Sequence, residues 1–262
     1  MEKPDFNYSE EPNNNKKRKD TVSDCFGPTM LTRGKQLGLY FAGFLGFQVI
    51  ASIIQVILYV TSGHLGEPIE SALSGYRYTM ITNSAAYIIL IICLVAICYT
   101  DLPKLVKSFP KYQCYIAGFV CFISIYAFEV IYGNLINLLI PVTENGNQAS
   151  IESVTYTYRF TSLIIFGIIG PICEELTYRV GLFSVLRKKS RVLAYLVTII
   201  IFAFIHFNFS SNPRTLLNEI LNLPVYAFAA AAFPFVYDRY GLAASVTGHI
   251  LNNLVSLFFV IF

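Results

Sequence analysis

Apolar residues run through this chain in seven long blocks. They lie near 37–62, 79–100, 115–140, 159–186, 192–210, 215–236 and 241–262. Each is long enough, at about 18 residues or more, for a helix to cross a bilayer core of roughly 30 Å. Only helices or closed barrels satisfy the backbone inside lipid, and these blocks are far too long for barrel strands. The pattern predicts an all-α, polytopic transmembrane helix bundle. Seven spans are expected, or eight if one span is broken or a half-helix lies between them. Residues 1–34 differ from the rest. Pro12 is followed by Asn13, Asn14 and Asn15 and then by the basic run Lys16, Lys17, Arg18 and Lys19. This stretch has no apolar period and reads as a disordered cytoplasmic tail. It has neither the apolar segment nor the small-residue cleavage site of a signal peptide. Residues 35–262 are assigned to one transmembrane domain.

Composition supports the same class. The 262 residues are 55% hydrophobic and 13% charged, with a mean hydropathy of +0.57. Soluble domains carry about 25% charged residues, so a water-soluble fold is excluded. The net charge of +3 matters less than its distribution. Fifteen Lys and Arg fall on one side of the alternating loops: seven up to Lys35, then Lys104, Lys107, Lys111, Arg187, Lys188, Lys189, Arg191 and Arg239. The other side holds only Arg77, Arg159 and Arg214. Positive loops stay inside. The chain is therefore expected in the cell membrane with its N-terminus cytoplasmic and its C-terminus outside. Nucleic acid is not an expected partner, because the basic residues sit in a tail and in short loops. The Asn-, Lys- and Ile-rich composition suits a bacterium. The cysteines Cys25, Cys93, Cys98, Cys114, Cys121 and Cys173 show no metal-type pairing.

Ionisable residues near a membrane centre cost about 2.5–3.5 kcal/mol each on insertion scales, so they mark function or compensated structure. The fourth block contains Pro171-Ile172-Cys173-Glu174-Glu175-Leu176-Thr177-Tyr178-Arg179. Glu175 and Arg179 share a helix face and can pair. Glu174 points about 100° away and lacks that partner. One carboxylate is thus structural and the other available, unless the whole segment is an interfacial helix end. Pro171 frees a carbonyl one turn back and invites a kink. The fifth block ends in Phe202-Ala203-Phe204-Ile205-His206 and the seventh contains His249-Ile250-Leu251-Asn252-Asn253. His249 and Asn253 are one turn apart and face the same side. Polar groups in separate spans gain most by meeting around a wet cavity. A buried Glu suits general-base work on water, and His and Asn donors suit an oxyanion. No HExxH or GxSxG motif is present. Glu129, Asn218, Glu219 and Asn222 read as structural or cavity-lining.

These motifs resemble the CAAX prenyl endopeptidase type II and bacteriocin-processing (CPBP) family of intramembrane endopeptidases. Glu174-Glu175-x-x-x-Arg179 resembles its EExxxR motif, Phe202-x-x-x-His206 its FxxxH motif, and His249-x-x-x-Asn253 its HxxxN motif. The resemblance covers about residues 159–262, the implied catalytic core. It implies a hydrolase in which Glu174 activates water with His206. Glu175 and Arg179 would support that group, and His249 and Asn253 would hold the oxyanion. It implies no cofactor, with zinc on Glu174, His206 and His249 left as the alternative. The implied partners are a peptide or protein substrate at the membrane and the lipid bilayer. Prenylated peptides, leader peptides and membrane anchors are candidate substrates. A non-enzymatic scaffold or bacteriocin self-immunity protein and a proton-coupled transporter are the competing classes. The family often has Gly directly after the motif Arg, where this chain has Val180 and then Gly181. With straight helices, His206 and His249 would differ in depth by about 10 Å.

Overall fold

The computed structural model describes residues 31–143, 145–210 and 212–262. The tail expected over residues 1–34 lies, up to residue 30, outside the described residues. Every regular element among the described residues is helical. The main ones are α1 Arg33–Phe44, α2 Gly46–Thr61, α3 Tyr76–Cys98, α4 Tyr112–Leu139, α5 Gly146–Thr157, α6 Arg159–Arg187, α7 Arg191–Ile205, α8 Pro213–Tyr240 and α9 Leu242–Ile261. The first span is α1 and α2 joined at Leu45. Six runs are long and apolar enough to cross a membrane, and α7 is a shorter apolar helix. The chain is a multi-pass helical membrane protein. Large side chains such as Val49, Ile92, Phe119, Leu196 and Phe259 point outward. So broad an apolar exterior belongs in lipid, not water.

The helix starts follow from local chemistry. Thr32, Asn145, Ser190 and Asn212 cap α1, α5, α7 and α8 by accepting backbone N–H bonds. Pro213 stands at the first position of α8, where its missing N–H is harmless. Gly241 joins α8 to α9 at φ 83°, a conformation that L side chains resist.

One boundary and one additional helix differ from the sequence expectation. The fifth span was expected over 192–210, but α7 ends at Ile205 with His206 as its C-cap. Between the third and fourth spans lies an additional helix, α5, which answers the question of an eighth helix. It is polar and only 12 residues long, too short to span.

The two ends of the bundle are tied by different chemistry. At one end, Asp101 pairs with Lys35 and Lys104, and Asp238 pairs with Arg187 and Arg191. Lys188 Nζ donates to Leu31 O and Gln36 Oε1 at 2.8 and 2.7 Å. Partial burial, with Arg33 nearby, holds that ammonium below the usual lysine range. At the other end several ties join uncharged groups. Thr143 N donates to Asn218 Oδ1, Asn222 Nδ2 to Thr143 O, and Gln148 Nε2 to Ser256 Oγ.

The helix that carries the two glutamates is irregular in a way its sequence explains. Residues 165–169 and 175–183 of α6 are π-helical. Gly170 N bonds Ile165 O, five residues back. The next donor in that register would be residue 171, which is proline and has no N–H. The carbonyl left over is Phe166 O, and Asn253 Nδ2 donates to it at 3.0 Å. A buried carbonyl without a partner would cost about 1–3 kcal/mol. The side chain from α9 thus completes a bond that Pro171 removed from α6.

Candidate active site

Glu175 is fully buried between Arg179 and His249. Its Oε2 is 3.2 Å from Arg179 Nε, and its Oε1 is 2.9 Å from His249 Nδ1. Because a carboxylate only accepts, the ring donates from Nδ1. The Arg179 guanidinium, also buried, lies over the Phe202 and Phe233 rings at 4.5 and 5.3 Å. Cation–π contact in a desolvated site is worth about 2 kcal/mol. The Phe233 ring stacks on His249, with centroids 4.5 Å apart. The Glu175–Arg179 pair expected from the i,i+4 spacing is present, and it also orients a histidine from α9.

Glu174 has a different setting. Its side chain is 21% exposed, against 0% for Glu175, and it faces a cavity of about 1120 Å³. His249 Nε2 lies 3.7 Å from Glu174 Oε2. His206, His249 and Asn253 line the same cavity. All six residues singled out by motif are therefore grouped, with Glu174, His206, His249 and Asn253 on the cavity wall and Glu175 and Arg179 behind it. Glu129 and Asn222 also line the cavity, whereas Glu219 is buried beside it.

His206 is held by Phe202, its motif partner, and by residues the sequence did not reveal. Its Nδ1 is 2.8 Å from Phe202 O. The carbonyl only accepts, so the proton is on Nδ1 and the neutral ring offers Nε2 as an acceptor. Its ring stacks on Tyr226, with centroids 5.0 Å apart. Asn145 Nδ2 donates to His206 O at 2.7 Å, and Tyr226 Oη donates to Asn145 Oδ1 at 2.9 Å. Glu219 accepts from Gly146 N and Asn208 N at 2.7 and 3.1 Å. Non-helical backbone at membrane depth survives only when protein groups satisfy it. Asn145 and Glu219 do so for the turn after α7. Phe202 carried a signal through its spacing to His206. Asn145, Tyr226 and Phe233 had none.

The depth difference expected between the histidines does not keep their rings from a shared neighbour, although α7 is short. At 15 residues it is about 22 Å long, short of the hydrocarbon thickness. Phe202, one turn back, touches both rings, at 4.8 Å from His206 and 6.1 Å from His249. As for zinc, no three His, Cys, Asp or Glu side chains among the described residues converge as a ligand set.

Comparison with known proteins bears on the same stretch. The chain is 26% identical over 152 residues to UPF0177 protein YvdC of Lactococcus lactis subsp. lactis (strain IL1403). That alignment covers 58% of this chain and 53% of the relative, so it spans about half of the relative's length. No solved structure matches significantly. A family model, type II CAAX prenyl endopeptidase Rce1-like, matches residues 157–255. That stretch holds all six motif side chains, and over it the chain is similar to the type II CAAX prenyl endopeptidases.

Proposed function

We propose that this chain is an intramembrane endopeptidase that hydrolyses peptide bonds of membrane-associated or leader-type peptides with water activated by Glu174. The observation that carries the reading is the division of labour between adjacent carboxylates. Glu175 is sealed and paired, while Glu174 opens onto a cavity shared with two histidines and an asparagine.

The chemistry runs as follows. A water between Glu174 and His206 donates one hydrogen bond to the Glu174 carboxylate and another to His206 Nε2. Glu174 takes the proton as the water oxygen attacks the scissile carbonyl carbon. The carbonyl oxygen becomes an oxyanion facing His249 and Asn253. His249, whose Nδ1 is engaged by Glu175, donates to it from Nε2 when both ring nitrogens carry a proton. Asn253 has one N–H engaged by Phe166 O and one remaining. Collapse of the tetrahedral intermediate breaks the C–N bond, and Glu174 returns its proton to the leaving amine. In this reading the N-terminus is cytoplasmic and the C-terminus outside, which the distribution of basic loops supports.

Peptidomics on membranes from cells with wild type, Glu174→Ala or no copy, at matched expression, tests the proposal. Peptides present only with wild type are expected, and they name the substrate. If Glu174→Ala yields every wild-type peptide and restores every wild-type phenotype, the protease assignment fails and a scaffold or immunity role replaces it.

A further inference from the structure

The cavity belongs to one end of the bundle. Its wall reaches down to Leu90, Ile125 and Phe233 and up to Asn137, Thr143 and Val260. Asn137 lies near the end of α4, Thr143 follows that helix, and Val260 is near the end of α9. Helix α4 starts just after Lys111 and runs 28 residues, about 42 Å, so Asn137 lies a membrane thickness from Lys111. Helix α9 starts just after Arg239 and Gly241. The upper wall is therefore remote from the cluster built by Lys35, Lys104, Arg187 and Arg191 around Asp101 and Asp238. Among the described residues, no Lys or Arg lines the cavity.

Basic loops are retained in the cytoplasm. We infer that the cavity opens away from the cytoplasm and takes its substrate from the outer side of the membrane. The substrate class is then an exported peptide, or the outward-facing segment of a membrane protein, and not a chain arriving from the cytosol. The direction of opening follows from charge and geometry alone. Only the word substrate rests on the endopeptidase reading.

Cysteine labelling tests the direction independently of activity. Thr143→Cys places a thiol at the mouth, where the native side chain is exposed. Asn252→Cys places one on the cavity wall beneath it. Lys189→Cys marks the basic end. The reagent is a charged, membrane-impermeant maleimide, applied to intact cells and to inverted vesicles, with wild type as the blank. In intact cells, Thr143→Cys and Asn252→Cys are expected to label at least tenfold above wild type, and Lys189→Cys only after permeabilisation. Labelling of Asn252→Cys confined to inverted vesicles overturns the inference. If labelling succeeds but no wild-type peptide appears in the peptidomic comparison, the opening stands and the protease reading falls.

Discussion

Glu174 and Glu175 are adjacent in the chain, yet replacing them is expected to do different things. Glu174→Gln keeps size and hydrogen bonding but removes the base, so product formation should fall by about 10²–10⁴-fold with little change in thermal stability. Glu175→Gln removes the charge facing Arg179 and His249. Breaking a buried pair by removing one partner costs about 3–5 kcal/mol. That variant should unfold at clearly lower temperature in detergent and lose activity as a consequence. Equal stability of the two variants would contradict the division of roles. A third residue-scale test concerns His206. Tyr226→Phe keeps the ring stack and removes only the hydroxyl that holds Asn145. A drop of several-fold in kcat with KM nearly unchanged is expected, and Asn145→Ala should give a larger drop in the same direction. An unchanged kcat in both would show that the network merely closes the loop.

At the scale of the element, the sequence displayed charges in apolar helices clearly and backbone irregularity poorly. Glu174, Arg179, His206 and His249 stood out because lipid makes each of them anomalous. Pro171 announced a freed carbonyl, but not that α6 would turn π-helical on either side or that Asn253 would supply the missing donor. Helix α5 was hidden because its sequence, Gly146 to Thr157, is polar and fits a loop as well as a short helix. The end of α7 was misplaced because Phe207 and Phe209 continue its apolar run, while the backbone there is satisfied by distant side chains. The link between Pro171 and Asn253 makes a double-mutant cycle informative. In the native background, Asn253→Ala should lower stability by about 1 kcal/mol through the orphaned Phe166 carbonyl. With Pro171→Ala in place, the backbone regains an N–H and that penalty should largely vanish, while the loss of activity from the missing oxyanion donor persists. Thermal unfolding and product formation measured on all four proteins separate the two roles.

For the whole molecule, the site exists because helices distant in sequence approach closely enough to bring α9 against α6. The approach is set from behind by α4. A methyl group built on Gly118 would lie 2.6 Å from Ala244 O, and one on Gly248 would lie 3.0 Å from Gly118 O. The two glycines face each other across the α4–α9 crossing, in the manner of small-residue contacts between membrane helices. Gly248 precedes His249, so any separation of α4 from α9 is felt at the ring that bonds Glu175. Gly118→Leu cannot be absorbed by a rotamer change, because the obstacles are the backbone at Ala244 and Gly248 and the Cβ of Thr247. It should push α9 towards α6 and α8 or away from α4, disturb the 2.9 Å contact between His249 and Glu175, and abolish activity together with several degrees of thermal stability. Gly133→Ala, on the same helix but with nothing within 4 Å of the added methyl, is the matched control and should behave as wild type. Activity and unfolding temperature of the two variants decide the matter: if Gly118→Leu is as active as Gly133→Ala, the α4–α9 crossing does not set the geometry of the site.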